Sequence, residues 1–284
     1  MHQPSPDPIA SALAEDVGSG DVTSEFFVAP NLQAVGRIVA RERAVVAGSE
    51  TAAEVFRRVD PKLDIAVLKK DGAALMGGET ILEVRGSARS ILTAERVALN
   101  FLQRLSGIAT LTREFVEAAG KSKAKILDTR KTTPGLRALE KAAVAAGGGK
   151  NHRFGLYDMV LVKDNHLMAN DGISALAAAI ERVRRERPDV RIEVEADRLE
   201  QVRSFLGITG IDVILLDNMK PTEMREAVAL GKKKNGVQFE ASGGVTLQNI
   251  RQVAASGVDF VSVGALTHSA RAIDLSLELT HVAA

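Results

Sequence analysis

The stretch "RIEVEADRLEQVRSFLGITGIDVILLDN" (191–218) contains two strand-like runs separated by one helix-like run. The runs "RIEVEAD" (191–197) and "IDVILLDN" (211–218) are short, rich in β-branched and aliphatic residues, and end in polar residues. Between them, "LEQVRSFLGITG" (199–210) predicts one helix. A strand, a helix and a second strand in this order favour parallel pairing through a right-handed crossover. This unit predicts an α/β fold.

The same alternation continues through the second half of the chain. Four further strand-like runs lie at 124–131, 158–165, 237–244 and 258–265, with helix-like patterns between most of the runs. An α/β barrel fits this rhythm best, although six strands are fewer than the eight of a complete barrel. Enzymes with this fold carry their reactive groups at the C-terminal ends of the strands. We therefore expect functional side chains where these runs end.

The first hundred residues have a different pattern. Alternating residues at 34–48 and 80–92 predict strands, and 49–60 predicts a helix. A further amphipathic helix is predicted over 93–107, with Thr93 as its N-cap and Gly107 just after its last turn.

These patterns divide the chain into domains. We expect an N-terminal α+β domain at 1–106 and a barrel domain at 107–269. The C-terminal residues 270–284 are expected to pack near the first domain.

Composition excludes several classes of protein. The 284 residues carry a formal net charge of +1, with 45% hydrophobic and 26% charged residues, which is typical of globular proteins. The chain has no cysteine, which excludes disulfides, thiolate metal sites and cysteine nucleophiles and suits a cytoplasmic location. We find no signal-peptide pattern and no apolar run of the ~20 residues that a membrane span needs. With no tryptophan and one tyrosine, stacking on nucleic-acid bases is not expected.

Positive charge is concentrated in one region. Between Asp128 and Arg153 the chain has six lysines and arginines against two acidic residues. Arginine grips carboxylate or phosphate through a planar fork, and lysine supplies a point charge. Surface salt bridges are the alternative explanation, but the few local acids and the position at strand ends favour an anion site. The candidate groups are Arg130, Lys131, Arg153 and Lys163, with His152 assisting.

Acidic residues end two other strands. In "EVEAD" the side chains of Glu193, Glu195 and Asp197 fall on one side of an extended strand, and Asp217 ends the next strand. Magnesium prefers oxygen ligands, commonly one or two carboxylates together with substrate phosphates. Glu195 with Asp217 would supply such ligands, although these acids could instead pair with nearby cations.

Glycines follow the last two strands. "EASGGV" (240–245) contains Ser242, Gly243 and Gly244, and "VSVGALTHSA" (261–270) contains Gly264. Glycine-rich backbone leaves N–H groups free to hold a phosphate, although a tight turn needs no ligand to explain it. Lys163 at the end of an apolar strand could also form a Schiff base, an alternative that its charged neighbours weaken.

A series of short motifs resembles the quinolinate phosphoribosyltransferase family. The resemblance runs in order from about residue 13 to the C-terminus. It is carried by "LTAERVALNFLQRLSGIAT" (92–110), "DTRKTTPGLRALEKAAV" (128–144), "GGGKNHRFGLYD" (147–158), "KDNH" (163–166), "EVEAD" (193–197), "LLDN" (215–218), "SGG" (242–244) and "VGALTHS" (263–269). Each motif alone is weak, but together they are specific.

The resemblance implies a fold and a reaction. The fold is an incomplete α/β barrel of six or seven parallel strands with an N-terminal α+β domain. The reaction joins quinolinate to phosphoribosyl pyrophosphate and gives nicotinate mononucleotide, carbon dioxide and pyrophosphate, with Mg²⁺. The family works at least as a homodimer, in which the partner subunit's N-terminal domain completes each site.

The resemblance also implies roles for individual residues. Quinolinate carboxylates would lie on Arg130, Arg153 and Lys163, with Arg96 reaching in from the other subunit. Lys131 would face the pyrophosphate of phosphoribosyl pyrophosphate, and His152 would face anionic groups of the substrates nearby. Glu195 and Asp217 would bind Mg²⁺ and the ribose hydroxyls. The 5-phosphate would be held by Ser242, Gly243, Gly244 and Gly264.

Three alternatives remain at this point. A relative could use another pyridine acid, a Schiff-base aldolase could use Lys163 on a phosphosugar, or a sensor could bind without turnover. The sequence also leaves open whether Glu193 joins the metal site. It does not show which of Arg137, Lys141 and Lys150 face the ligand.

Overall fold

The computed structural model describes residues 7–168, 173–232 and 236–281, which form two compact units. The first unit comprises Met1–Arg113, Thr132–Gly148 and Leu266–Ala284, and the second comprises Glu114–Lys131 and Gly149–Ala265. Residues 132–148, which the sequence assigns to the barrel domain, therefore group with the N-terminal unit. The outermost residues of the expected first domain, 1–6 and 282–284, lie outside the described residues.

The first unit is built on a four-stranded antiparallel sheet. Its elements are α1 (Pro8–Asp16), α2 (Val22–Phe27), β1 (Gln33–Ala40), β2 (Ala44–Val45), α3 (Ser49–Val59), β3 (Asp64–Val67), β4 (Ala74–Leu75), β5 (Thr80–Ser87), α4 (Ala88–Ala118), α5 (Arg137–Ala146) and, near the C-terminus, β12 (Leu275–His281). The strand order is β12-β1-β5-β3, and β2 pairs separately with β4. Because β12 pairs along the whole of β1, the C-terminal strand belongs to this sheet.

The predicted helix over 93–107 is wrong at both ends, since α4 runs from Ala88 to Ala118. Thr93 does not cap it; its hydroxyl instead donates to Asp21, the N-cap residue of α2, at 3.0 Å. Gly107 lies inside the helix, where a Cβ would collide with the backbone carbonyl of Arg271. The glycine is needed for close backbone approach, not for ending the helix.

A buried ion pair joins α4 to α5 within this unit. The Glu140 carboxylate is fully buried and accepts from the Arg104 guanidinium at 2.9 Å. It also accepts from the backbone N–H and the hydroxyl of Thr133, at 3.1 and 2.8 Å. Arg104 donates in addition to the carbonyl oxygens of Thr267 and Ala270. A buried charge with this many partners stabilises only one arrangement of the segment that leads into α5.

The second unit is an α/β sheet with six parallel strands. Its elements are β6 (Lys125–Leu127), β7 (Met159–Val162), α6 (Asp164–Met168), α7 (Ile173–Glu186), β8 (Arg191–Ala196), α8 (Leu199–Phe205), β9 (Val213–Asp217), α9 (Pro221–Gly231), β10 (Gln238–Ser242), α10 (Ile250–Ala254) and β11 (Phe260–Ser262). The short helix α11 (Ala265–His268) begins at the last residue of this unit, and its other residues belong to the first. The strand order is β6-β11-β10-β9-β8-β7. All six strand-like runs of the sequence are strands, which confirms the incomplete barrel.

A short segment extends the sheet beyond β6. Lys150 forms a parallel bridge with Leu127, and the backbone hydrogen bonds at Ile126 and Asp128 are 2.8 and 3.1 Å long. The residues that follow, His152 and Arg153, are therefore carried beside the C-terminal end of β6.

Alternation along the strands produces layers of side chains on one face of the sheet. The lower layer, at the N-terminal ends, comprises Lys125, Met159, Arg191, Val213, Gln238 and Phe260. The middle layer comprises Leu127, Leu161, Glu193, Leu215, Glu240 and Ser262, and the upper layer comprises Lys163, Glu195, Asp217 and Ser242. The upper layer lies where the strands end, which is the functional edge of such a fold.

Within the described parts of the chain, no helix combines the length and the apolar character that crossing a membrane would require.

Candidate active site

The upper layer brings together side chains from neighbouring strands. The Lys163 ammonium lies 3.2 Å from Glu195 Oε2, across the β7–β8 pair. Asp217 ends β9, and its register partner on β10 is Ser242. Four of the predicted site residues therefore line one edge of one sheet. The Lys163 side chain is 48% exposed and ion-paired, which favours an electrostatic role over that of a Schiff-base nucleophile.

Two guanidinium groups lie close enough to repel each other. Arg153 is partly buried, and its Nη1 donates to the carbonyl of Met159 at 3.4 Å. Burial first, and then the neighbouring charge of Arg130, lowers the pKa of Arg153, while Glu193 and Asp158 oppose that shift. Two cations held together in a partly dry place are stabilised by an anion that contacts both. Arg130 and Arg153 are therefore candidates for binding a carboxylate or phosphate.

Other predicted cations lie in different surroundings. Lys131 is exposed, and its backbone N–H donates to the Thr129 hydroxyl at 3.0 Å. Arg96 is exposed on α4 in the first unit. Of the three that the sequence leaves open, Lys150 lines a cavity in the second unit, Arg137 donates to the Thr132 hydroxyl at 3.0 Å, and Lys141 is buried on α5.

His152 points into the middle layer. Its Nε2 lies 3.0 Å from Glu193 Oε2 and 3.5 Å from Glu240 Oε1, and the backbone N–H of Arg153 lies 2.8 Å from its Nδ1. Its own backbone N–H donates to the buried Asp128 carboxylate at 2.8 Å. Ser262 donates its hydroxyl to Glu240. Both carboxylates are almost completely buried, with Glu193 at 1% and Glu240 at 2% exposure. We call His152, Glu193, Glu240 and Ser262 the His152 cluster.

Two members of the His152 cluster, His152 and Glu193, have raised pKa values. Burial alone lowers the pKa of His152, but its hydrogen bonds to Glu193 and Glu240 and their negative charges outweigh it and raise the pKa to about 9. Burial likewise raises the pKa of Glu193, against the opposing contact with His152.

Two sets of donors could hold a cation. His152, Glu193 and Glu240 offer ligand atoms within 4.8 Å of one another, but their hydrogen bonds and the nearby positive charges of Arg153 and Arg191 already balance them. Glu195 and Asp217 end adjacent strands and have less buried carboxylates. Hard oxygen ligands of this kind, open toward a substrate, fit Mg²⁺. Glu193 lies one layer deeper and faces His152, so Glu195 is the better candidate ligand.

The glycine turn after β10 has an unusual backbone. Gly243 and Gly244 have φ angles of 87° and 59°, in the left-handed region that favours glycine. Asn249 accepts from the Thr246 N–H at 2.8 Å and donates to the Gly244 carbonyl at 2.9 Å, which closes the turn. Gly264 follows β11 at the same edge of the sheet.

A cavity of about 690 Å³ opens below the His152 cluster, toward the N-terminal ends of the strands. In its floor the Arg191 guanidinium donates to Gln238 Oε1 at 2.5 Å and lies 5.0 Å from the centroid of the Phe260 ring. This end of a barrel usually serves stability, and the arginine satisfies its neighbours there.

Sequence reasoning missed several residues of this region. Glu240 and Ser262 were not singled out, although the inward alternation along "QFEAS" and "FVS" places them beside Glu193. Asn218 was quoted only as part of "LLDN", yet it has a positive φ of 54° and touches both Asp217 and Gly243. A backbone conformation of this kind has no signal in a single sequence.

Two family models match the chain. One is described as "Quinolinate phosphoribosyl transferase, C-terminal domain" and matches residues 108–278; the other, the N-terminal domain of the same family, matches residues 21–106.

Individual relatives agree with the family models. A "Probable nicotinate-nucleotide pyrophosphorylase [carboxylating]" of Bacillus subtilis is 44% identical, over 94% of this chain and 90% of the relative. A chloroplastic "Nicotinate-nucleotide pyrophosphorylase [carboxylating]" of Arabidopsis thaliana is 42% identical, over 95% of this chain and 81% of the relative. The solved structure of NadC from Streptococcus pyogenes superimposes with a TM-score of 0.90 and 40% identity, covering 97% of this chain and 96% of that one.

We predict that the His152 cluster makes stability depend on pH. Because the pKa of His152 is higher in the folded protein than the ordinary value of 6.5, its contribution is complete below pH 6.5 and is lost as the pH rises through about 9. Each pKa unit corresponds to about 1.4 kcal/mol. Urea unfolding at several pH values between 6 and 9.5 should show a declining unfolding free energy for the wild type and a flatter profile for His152→Gln. Equal slopes in the two proteins would contradict the prediction.

Proposed function

We propose that this chain, which belongs to the quinolinate phosphoribosyltransferase family, transfers the phosphoribosyl group of phosphoribosyl pyrophosphate to quinolinate. The products are nicotinate mononucleotide, carbon dioxide and pyrophosphate, and the step serves NAD biosynthesis. The observation that carries the proposal is the C-terminal edge of the parallel sheet. There a cation pair, two carboxylates and a glycine turn lie on one side of neighbouring strands.

The cations form the subsite for the dicarboxylate. The charge of Arg130 lowers the pKa of Arg153, and the two carboxylates of quinolinate would stabilise both guanidinium groups. Lys163 adds a third positive charge at the end of β7, shared with Glu195. His152 supports Arg153 from below through the hydrogen bonds of its own cluster. The base is thereby oriented with its ring nitrogen free to react.

The acids form the subsite for the ribose. Glu195 and Asp217 would hold Mg²⁺ and accept hydrogen bonds from the ribose hydroxyls. When bound, the ion would neutralise charge that develops on the departing pyrophosphate. Lys131 follows β6 and would add positive charge on the same side. Ser242, Gly243, Gly244 and Gly264 would hold the 5-phosphate through backbone N–H groups.

The chemistry needs binding and charge stabilisation more than a protein nucleophile. The bond from C1 of the ribose to pyrophosphate breaks and leaves positive charge on the ribose, near the Glu195 and Asp217 carboxylates. The quinolinate nitrogen donates its electron pair to C1 and becomes a pyridinium. The C2–carboxylate bond then breaks, carbon dioxide leaves, the electron pair stays on C2 beside the positive nitrogen, and C2 takes a proton from water. Arg130, Arg153 and Lys163 keep the ring in place through both steps.

A homodimer with shared sites is also part of this proposal. Arg96 is exposed on α4, one of four polar residues on that side of the helix with Asn100, Gln103 and Arg104. We propose that it contacts the quinolinate bound by the partner subunit. A cytoplasmic location stays a prediction from the sequence.

The first test measures carbon dioxide released from quinolinate labelled in its 2-carboxylate. We expect release only when phosphoribosyl pyrophosphate and Mg²⁺ are both present, with nicotinate mononucleotide formed in equal amount. Assays with nicotinate and other pyridine acids in place of quinolinate test the alternative that the enzyme uses another pyridine acid. Borohydride trapping on Lys163 with a sugar phosphate examines the aldolase. Binding of quinolinate by the folded protein without release would leave the pocket correct and the reaction wrong.

We predict that Arg130→Ala lowers kcat/KM by roughly 100-fold or more, because one of the groups that would bind the quinolinate carboxylates is lost. Steady-state kinetics and quinolinate binding by calorimetry measure the effect, and circular dichroism checks the fold. Arg182→Ala, which removes an exposed arginine of α7, is the matched control and should behave as the wild type. Near-normal turnover in Arg130→Ala would remove Arg130 from the site.

We predict that two inactive variants restore activity when mixed. In an isologous dimer that pairs Arg96→Ala with Arg153→Ala subunits, one of the two sites contains neither substitution, so the purified mixed dimer should have about half of the wild-type activity. Co-expression with two different tags allows the mixed dimer to be purified and assayed. Well-folded mixed dimers with no activity would contradict sharing of Arg96 across the interface.

A further inference from the structure

Asn218 has a backbone conformation that is rare for a residue with a side chain. Its φ is 54°, and among the residues that the structure describes it is the one residue other than glycine with a positive φ. Asparagine tolerates the left-handed region better than most residues, whereas the Cβ of alanine is sterically disfavoured there. The position directly follows Asp217, where β9 ends. Backbone outliers of this kind cluster at functional sites, so the contacts of the Asn218 side chain are of interest.

The side-chain amide of Asn218 is hydrogen-bonded to Asp217. Its Nδ2 donates to Asp217 Oδ2 at 2.7 Å, and its backbone N–H donates to the Ser242 carbonyl at 2.9 Å. A carboxylate only accepts hydrogen bonds, so the amide nitrogen has to face Asp217 and the amide oxygen has to face away. One carboxylate oxygen of Asp217 is thus occupied, and the side chain of Asp217 is held in one orientation.

The other side of the amide faces the glycine turn. Asn218 Oδ1 occupies the space where a Cβ on Gly243 would lie, so residue 243 has to be glycine as long as Asn218 is in place. Gly244 is held separately, from the opposite side, by Asn249 Nδ2 at 2.9 Å. Asn218 is therefore the side chain that connects the carboxylate at the end of β9 to the turn after β10.

We propose that Asn218 is a positioning residue for phosphoribosyl pyrophosphate. It holds the Asp217 carboxylate and the Gly243 turn in one fixed relation, so that the ribose and metal end of the donor and its 5-phosphate end are bound together. This inference rests on the proposed function, since Asp217 and Gly243 contact the donor only if that function is correct. Asn218 itself acts through Asp217 and Gly243.

Asn218→Gly is the decisive variant, because glycine adopts the left-handed conformation without cost while the amide is lost. Loss of a residue that orients a metal ligand typically costs 10- to 100-fold in affinity or activity. We expect an unchanged Tm, a Kd for phosphoribosyl pyrophosphate about tenfold higher, and a similar rise in the Mn²⁺ concentration for half-saturation. Calorimetry measures the first binding constant, and the electron paramagnetic resonance signal of free Mn²⁺ measures the second. Quinolinate affinity should stay at its wild-type value.

Two further variants separate the contributions. Asn218→Asp keeps the shape and tolerates the backbone conformation but cannot donate to Asp217, so it should weaken donor and Mn²⁺ binding as Asn218→Gly does. Asn249→Ala removes the other support of the turn without contacting Asp217. It should weaken donor binding while the Mn²⁺ dependence stays at the wild-type value.

The outcomes distinguish this inference from the proposed function. Wild-type affinities for the donor and Mn²⁺ in Asn218→Gly would overturn the inference and leave the reaction intact. A lower Tm with equal losses for quinolinate and donor would also overturn it, because the role would then be structural. If the wild type binds the donor but does not release carbon dioxide, and Asn218→Gly binds it tenfold more weakly, the proposed reaction fails and the positioning role stands.

Discussion

The alternation of side chains along parallel strands is the constraint on which this site depends. Four functional side chains share one face of the sheet: Lys163, Glu195, Asp217 and Ser242. Each is separated by an even number of residues from a residue earlier in the same strand that lines the cavity, and side chains at even spacing lie on the same face. A shift of one residue in any strand would turn its functional group toward the helices. The strands themselves are only three to six residues long, so the register is held by the buried aliphatic side chains on the opposite face. The chemistry at the edge thus relies on apolar packing behind it.

The interior of the second unit is charged where barrels usually contain branched aliphatic residues. Glu193 and Glu240 would each be costly to bury alone, but His152, Ser262 and the nearby arginines offset that cost through hydrogen bonds and charge. Arg153 follows His152 in the chain, and Glu193 acts on both: it lies 3.0 Å from the His152 ring, and its charge, with that of Asp158, opposes the lowered pKa of Arg153.

The sequence alone was sufficient for the six parallel strands, since each is a short aliphatic run that ends in polar residues. It was insufficient for α4, because the reasons that Thr93 does not cap it and Gly107 does not end it are contacts with Asp21 and with the backbone of Arg271, distant in the chain. The residues of the upper layer were predicted as site residues from their position at strand ends and from the family resemblance. The sequence did not indicate that both ring nitrogens of His152 lie against protein groups. Asn218 was not predicted as a functional residue, because its positive φ depends on packing against the turn that follows another strand.

The order of the strands agrees with the order of groups in the proposed product. Passing along the sheet from β7 to β11, the edge presents Lys163, then Glu195, then Asp217, then the turn at Gly243 and Gly244. A mononucleotide presents its base, its ribose and its phosphate in the same order. Beyond β11 comes β6, which is followed by Arg130 and Lys131. The cations that would hold the departing pyrophosphate and the base therefore lie at both edges of the open sheet. A short segment lies between those edges, because Lys150 pairs with Leu127 and Arg153 Nη1 donates to the carbonyl of Met159 on β7. Where a closed eight-stranded barrel would have further strands, this chain has the segment that brings His152 to Glu193 and Glu240.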